Sequence, residues 1–546
     1  MEKRLLLGDE AIALGALHAG LSGVYAYPGT PSTEITEFIQ KMNKDIHSRW
    51  CTNEKTAMEA ALGMSYAGKR ALVCMKHVGM NVCADAFVNS AITGVNGGLV
   101  VLAADDPSMH SSQNEQDSRF YGKFAMIPIF EPSTQQEAYD MMEKAYELSE
   151  SLKLPVLMRV VTRLAHSRAS VKVKEDAKTE NALNPDEGRH WVLLPAIARR
   201  NYVSLIEKQN DIIKASEESR FNDHNDPSKS PLSRGDFQPI GSGSSPLEGR
   251  LGRVLGIVAC GIGYNYVMES GTQLPVVKVS QYPIPENKIK ELAAQCNEIL
   301  VVEDGQPFVE EQLKGFGLNV KITGRLTGAL PRTGELTPDC VAAALGLGFN
   351  APEKCELHLA ARPPQLCQGC GHRDMYAALK EVVGEFDTAK VFGDIGCYTL
   401  GALPPFQAIN SCVDMGASIT MAKGAADAGV WPAVAVIGDS TFTHSGMTGL
   451  LDAVNDKANI VVIISDNLTT AMTGGQDSAG TNKFEQICLG LGVEPEHVKV
   501  VVPLPKNMED IKQTIRDEIN YNGVSVIIPR RECIQTFRRH AKKRPL

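Results

Sequence analysis

Between Gly438 and Gln476 the chain reads GDSTFTHSGMTGLLDAVNDKANIVVIISDNLTTAMTGGQ. Two short runs rich in Val and Ile, Ala433–Ile437 and Ile460–Ser465, are each followed at once by polar residues, as expected of buried parallel strands. Asp439 directly follows the first run and Asn467 the second, and in open α/β sheets ligands gather at the carboxyl ends of strands. An Asp carboxylate, an Asn carbonyl and a nearby main-chain oxygen make a hard oxygen set. Such a set suits Mg²⁺ that shares its remaining positions with water and a diphosphate. Taken alone, Gly438-Asp439 is equally a turn after a strand, because short motifs match by chance.

A second constellation is built from thiols. Cys367 and Cys370 stand in Leu366-Cys367-Gln368-Gly369-Cys370-Gly371-His372-Arg373, a run that opens at Pro363. Cys397 follows a strand in Gly393-Asp394-Ile395-Gly396-Cys397-Tyr398, and Cys533 follows the expected strand Val524–Pro529. Four thiolates converging from loops suit a Cys₄ iron–sulfur cluster or a Cys₄ zinc, and composition does not choose between them. A redox-active C-x-x-C at a helix start is a third reading. Cys412 and Cys488 are rival fourth ligands, and the remaining cysteines sit in apolar contexts expected of a core. Thirteen cysteines, an odd number spread over a long chain, do not make a secreted disulfide framework.

Gly-Asp followed some two dozen residues on by Asn resembles the thiamine diphosphate motif. On that resemblance Asp439, Asn467 and the carbonyl of Thr469 hold Mg²⁺, with Gly438 and Ser440 beside the cofactor. Ser440 departs from the usual Gly-Asp-Gly. The stretches YPGTPSTE, NEKTAMEAALG, KHVGMN at Lys76–Asn81 and AADDPSMHSSQNEQDSR at Ala103–Arg119 resemble the pyrimidine-binding domain of the indolepyruvate:ferredoxin oxidoreductase large-subunit family. That family lies within the 2-oxoacid:ferredoxin oxidoreductase superfamily. CQGCGHR and GDIGC resemble its cluster-bearing thiamine domain, which implies a [4Fe–4S] cluster on Cys367, Cys370, Cys397 and Cys533.

An acid at a helix start, as Glu54 is, ordinarily serves the helix dipole. Thiamine enzymes also need a carboxyl group on the aminopyrimidine ring, and Glu54 fits that role. The resemblance further implies that Thr30 and the Lys76-His77 loop lie near the substrate. It makes Met415 the bulky side chain beneath the cofactor, where the alternative is plain core packing. Met472 stands where the pyruvate-specific branch carries Asn, which points to an aryl or larger alkyl 2-oxoacid.

These residues need α/β scaffolding, and the chain supplies its signals. Gly8-Asp9-Glu10 and AIALGALHAG predict a helix with small residues for close packing, followed by a strand at Val24–Tyr27 and a helix from near Glu34, with Ser32 or Thr33 able to cap it. Gln135–Leu152 predicts a helix and Val156–Val161 a strand. Residues 207–249 are polar, with a Gly-Ser run at Gly241–Ser245, and are read as a surface excursion or linker. The pattern restarts with a strand at Val254–Ala259 and again at Glu298–Val302. The expected organisation is residues 1–165, pyrimidine-binding; 166–252, connecting segment and linker; 253–347, resembling a transketolase C-terminal domain; and 348–546, diphosphate-binding with the cysteine cluster. The fold class is thus α/β, with two doubly wound parallel-sheet thiamine domains flanking a third α/β domain.

At 546 residues, 43% hydrophobic and 22% charged, the composition is that of a soluble globular protein. A net charge of -9 argues against a general nucleic-acid binder. The basic tail, Arg538 to Arg544, reads as a solvated end. No apolar run approaches the ~20 residues of a membrane span. Asp9 and Glu10 interrupt the apolar stretch that a signal peptide requires, so a cytoplasmic enzyme is expected. The resemblance implies oxidative decarboxylation of an aryl 2-oxoacid to the acyl-CoA, with electrons leaving through the cluster and coenzyme A as co-substrate. Long members of the family end in a ferredoxin module, whereas this sequence stops at Leu546. A separate iron–sulfur subunit or a docked ferredoxin is therefore expected, with a small partner subunit and a hetero-oligomer holding two copies of the chain. The rivals are a non-oxidative thiamine decarboxylase, which has no use for the cysteines, and a non-catalytic assembly subunit.

Overall fold

The computed structural model describes residues 2–186, 188–225, 254–347 and 364–543. It comprises two compact units, Met1–Lys354 and Cys355–Leu546. The Gly-Ser part of the expected linker, from residue 226 onward, and Pro363 lie outside the described residues.

The first unit is built on a seven-stranded sheet. Its order is Gln281–Tyr282, Ile129–Phe130, Val156–Val161, Leu99–Asp105, Ala71–Lys76, Gly23–Ala26 and His47–Trp50. All neighbours are parallel except the first pair. Central strands such as LVVLAAD and VLMRVV are buried at every residue, which is why they read as near-continuous apolar runs rather than alternating ones, with Asp105 and Arg159 the exceptions. The helix Gln135–Leu152 starts where Thr134 accepts a hydrogen bond from the Glu137 N–H at 3.1 Å. Glu2–Leu7 pairs antiparallel with Arg168–Val173.

Residues 254–347 supply four strands of a five-stranded sheet, ordered Lys321–Thr323, Glu298–Val302, Leu255–Cys260 and Val276–Val279, and the connecting segment adds His224–Asn225 antiparallel at its edge. The regions expected as first and middle domains share one compact unit, and a buried ionic cluster ties their two sheets together. The Arg119 guanidinium lies 2.5 Å from Asp117 and 3.0 Å from Glu303. The Arg159 guanidinium lies 2.5 Å from Asp105, pairs with Glu131, and donates to the Asp304 carbonyl at 2.9 Å. Burial alone would raise Asp117, but Arg119 and Arg159 outweigh it and hold the carboxyl below its usual range. Removing one member of such a cluster strands the others without water, at a cost of about 3–5 kcal/mol. In the connecting segment, Pro195–Glu207 and Gln209–Glu217 are helical and sink Leu205 and Ile212 into the core, so part of the polar stretch is anchored.

The second unit holds a six-stranded, wholly parallel sheet ordered Ser411–Cys412, Lys390–Gly393, Ala433–Gly438, Ile460–Ser465, Val524–Pro529 and Val498–Val501. The strand expected at Ala433–Ile437 runs one residue further, and those at Ile460–Ser465 and Val524–Pro529 have the bounds read from sequence. Among the described residues no helix is long and apolar enough to cross a membrane.

Candidate active site

In the first unit three neighbouring parallel strands, His47–Trp50, Gly23–Ala26 and Ala71–Lys76, deliver functional candidates from their carboxyl ends. Asn53 caps the helix Glu54–Tyr66, its side chain accepting from the Thr56 N–H at 2.9 Å, and this fixes Glu54 as the first helical residue. Glu54 is buried, only 6% exposed. Its carboxyl rests on the helix His77–Thr93 at Gly79, where a Cβ would stand 2.7 Å from Glu54 Cγ and 2.8 Å from Oε1. Glycine at 79 therefore makes the room that the carboxyl occupies.

Thr30 is half-buried in the loop after Gly23–Ala26. That loop is braced by Ser32, whose hydroxyl donates to the Gly29 carbonyl at 2.8 Å, and Gly29 faces Lys76 Cβ across 3.1 Å of ideal Cβ separation. Lys76 Nζ donates to the Ser111 carbonyl at 2.5 Å. His77 is fully buried, with Nε2 at 3.2 Å from the Asn114 carbonyl and Nδ1 without a hydrogen-bond partner. Lys76 and His77 thus grip the loop 111–114, and His77 presents no accessible face to a substrate in this conformation.

In the second unit Asp439 follows its strand directly and is 3% exposed. Ser440 N–H donates to its Oδ1 at 2.7 Å. The Thr469 N–H reaches both Asp439 Oδ2, at 3.1 Å, and Asn467 Oδ1, at 3.2 Å, so one amide gathers the two side-chain oxygens from different strands. Burial pushes the Asp439 carboxyl up to about 7, and nearby Asp466 adds to the rise. Among the described residues Asp439 forms no ion pair, and its oxygens are met by the Ser440 and Thr469 N–H groups. Asn467 Nδ2 faces His372 Nε2 at 3.4 Å, and burial lowers His372 to about 4, so the neutral ring accepts and leaves Asn467 Oδ1 turned toward Asp439. The following loop is closed at its base where the Thr470 N–H donates to the Gln476 carbonyl at 2.9 Å, and Met472 projects outward, 61% exposed.

Met415 is half-buried just before Gly416 and the helix Ala417–Asp427. That corner is held by Asp394, fully buried. It accepts from the Ser418 hydroxyl at 2.7 Å and the Gly416 N–H at 3.2 Å, and also pairs with the Tyr398 hydroxyl. Asp394 was quoted in the sequence only for its neighbour Cys397. The available signal was that Gly393-Asp394 repeats the strand-Gly-Asp arrangement of Gly438-Asp439.

Cys367, Cys370, Cys397 and Cys533 line a single cavity of about 130 Å³, together with His372, Asp466, Asn467 and Arg531. The four sulfurs come from three separate segments, and the cavity borders the very loop that carries Asn467. Burial and then Cys533, Cys370 and Cys367 push the Cys397 thiol up to about 12, so four thiolates would coexist there only around a cation. Cys370 precedes the helix Gly371–Val383, and burial raises its thiol, opposed in part by a hydrogen bond from the His372 backbone. Cys412 is exposed and directs its thiol to the Asp394 carbonyl at 3.7 Å, while Cys488 is buried among Phe442, Phe484 and Ile464. Neither lines the cavity.

Residues 14–225 match the family described as pyruvate flavodoxin/ferredoxin oxidoreductase, thiamine diphosphate-binding, and residues 394–528 match the thiamine pyrophosphate enzyme C-terminal binding domain. The indolepyruvate oxidoreductase subunit IorA of Archaeoglobus fulgidus is 38% identical over 97% of this chain and 86% of its own length. The subunit of the same name from Methanothermobacter thermautotrophicus is 36% identical over 98% of this chain and 87% of its own. That from Thermococcus kodakarensis is 35% identical over 100% and 88%. A solved 2-oxoglutarate:ferredoxin oxidoreductase from Magnetococcus marinus aligns with a TM-score of 0.45 at 14% identity, over 59% of this chain and 62% of that one, too distant to add to the assignment. With two thiamine-binding regions matched and relatives similar over nearly all of its length, the chain belongs to the indolepyruvate oxidoreductase IorA family of thiamine diphosphate-dependent 2-oxoacid oxidoreductases.

Proposed function

We propose that this chain carries out the oxidative decarboxylation of an aryl 2-oxoacid of the indolepyruvate kind to its acyl-CoA, delivering the electrons through a [4Fe–4S] cluster to ferredoxin or a separate iron–sulfur subunit. The observation that carries the reading is the convergence of four cysteines on one cavity beside the Asn467 loop. Thiamine diphosphate, when bound, supplies the electron sink that lets carbon dioxide leave.

This chain's residues do the rest. Asp439, Asn467 and the Thr469 carbonyl hold Mg²⁺ for the diphosphate, with Gly438 and Ser440 flanking it, and Met415 supports the cofactor from below. Glu54 holds the aminopyrimidine through its carboxyl, in the space Gly79 leaves open. Thr30 orients the substrate, and His77 fixes the loop 111–114 from beneath. Cys367, Cys370, Cys397 and Cys533 ligate the cluster.

An iron–sulfur cluster is favoured over zinc because a redox-inert zinc would leave the oxidative chemistry without an acceptor for its electrons. The relatives are named as subunits, which supports a partner subunit; on our reading it is the smaller one, in a hetero-oligomer with two copies of this chain. A reducing cytoplasm would keep the thiols available.

The test is anaerobic iron and sulfide analysis of the full chain with its partner, followed by electron paramagnetic resonance after adding indolepyruvate and coenzyme A. Four iron and four sulfide per chain, about as a [4Fe–4S] centre requires, with a reduced-cluster or radical signal, is the expected result. Zinc or no metal, together with an aldehyde product formed without an acceptor, would replace it with a non-oxidative decarboxylase.

A further inference from the structure

Three side chains of the first unit meet without any assigned purpose. Asp9 is the second residue of the helix Gly8–His18, Glu34 the second of the helix Thr33–Met42, and His166 the last of the helix Thr162–His166. Gly8 is what lets them approach: a Cβ there would stand 2.2 Å from the Leu164 carbonyl oxygen, so only glycine lets the first helix press against the third. The Gly8 N–H donates to the Ser167 carbonyl at 3.3 Å across the same contact.

One ligand atom from each of Asp9, Glu34 and His166 lies within 4.8 Å of the other two. Asp9 is 0% exposed, and neither of its carboxylate oxygens has a hydrogen-bond partner. Glu34 Oε2 is also buried without a hydrogen-bond partner, and it stands 3.6 Å from His166 Nε2. The Asp9 carboxylate lies away from water with both oxygens unanswered, while Glu34 stays partly exposed and turns its buried Oε2 toward His166. His166 and Glu34 retain 34% and 39% side-chain exposure, so the cluster is open to solvent through these two members and closed behind Asp9.

We infer that Asp9, Glu34 and His166 form a site for a divalent transition-metal ion of the zinc class, with its remaining position open to water beside His166. Two carboxylates neutralise a dication, and one imidazole selects a borderline ion over Mg²⁺ or Ca²⁺. Three protein ligands with an open fourth position are an ordinary zinc arrangement. The ion would tie the start of the first helix to Glu34, at the end of the loop that carries Thr30. The competing explanation is a buried Asp9 that simply keeps its proton, and Asp9→Asn imitates that state in shape and charge.

The experiment compares zinc content in the full chain after metal stripping, reloading with zinc alone and exhaustive dialysis. Asp9→Asn and His166→Ala are measured beside the wild type, and the cysteines are left intact in all three. Each variant is expected to hold one zinc per chain fewer than the wild type and to lose the zinc-dependent part of its rise in melting temperature. Equal zinc in all three overturns the site. Loss in His166→Ala alone overturns it as well, because a surface imidazole would then be the whole binder. Should Asp9→Asn fail to fold, Glu34→Gln takes its place in the same comparison.

Discussion

Gly79→Ala separates stability from catalysis in a way the geometry allows to be worked through. The added Cβ would lie 2.7 Å from Glu54 Cγ and 2.9 Å from Cδ, against the 3.5–4.0 Å at which carbon atoms rest comfortably. Something must therefore move by roughly 1 Å. The obstructing atoms belong to the outer part of a flexible side chain, so Glu54 swings aside and the helix stays. Alanine within a helix even gains up to about 1 kcal/mol over glycine, and Gly79 has no left-handed backbone angle to forbid it. A catalytic group misplaced by about 1 Å loses on the order of 100-fold in rate, near 2.7 kcal/mol of barrier. The expected variant therefore melts at or slightly above the wild-type temperature while indolepyruvate- and coenzyme A-dependent reduction of a viologen dye falls about 100-fold. Combining it with Glu54→Gln should add little beyond Glu54→Gln alone, since both changes remove the same carboxyl from its place. Activity within about threefold of wild type would refute the placement of Glu54. A large drop in melting temperature would mean that the carboxyl does not yield and that the cradle is structural.

The cysteines divide sharply. Cys533→Ser should lose cluster iron and dye reduction, whereas Cys412→Ser and Cys488→Ser, which lie off the cavity, should keep iron at wild-type levels by chemical analysis; iron retained in Cys533→Ser would move the fourth ligand elsewhere. Glu303 gives a pH signature with a definite sign. Burial, only partly opposed by Arg119, lifts its carboxyl from 4.5 to about 7, so between those values the folded state keeps a proton that the unfolded chain gives up. Rising pH across that window thus removes up to about 3 kcal/mol, and Glu303→Gln should lose less stability than wild type between pH 5 and pH 8 in urea melts followed by tryptophan fluorescence.

The parts of the molecule that were readable in advance are those where burial writes itself into composition. The strands Val156–Val161, Ile460–Ser465 and Val524–Pro529 are buried at every residue and mostly Val, Ile and Leu, broken only by the polar Arg159, Ser465 and Ser525, because both faces of a parallel sheet are covered. Asp439 stands out because it immediately follows such a strand, and Asn467 because it lies one residue beyond the end of another, after Asp466. His77 was harder: an imidazole after a strand looks the same whether it faces a substrate or a carbonyl beneath a loop, and only the fold puts Asn114 over it. The helix Gln209–Glu217 was hidden because one buried face, chiefly Ile212, is carried by an otherwise polar stretch. Gly79 carries no sequence signal at all, since its use depends on a side chain 25 positions earlier reaching it across two helices. The Asp9 cluster is equally silent, because its members are joined by contacts between helices distant in sequence.

The seven-stranded sheet ends on Gln281–Tyr282, which pairs with Ile129–Phe130 from far upstream. During synthesis the edge at Ile129–Phe130 must therefore wait for on the order of 150 further residues, some 10–30 s at ribosomal speeds. For that interval an apolar strand edge faces outward and is open to pairing with another nascent chain. The second unit incurs no such delay, since its whole sheet is drawn from one contiguous stretch after residue 364. The first unit's sheet is thus completed later, relative to its earlier strands, than that of the second. Slowing translation before residue 281 should cost more yield than slowing it anywhere downstream.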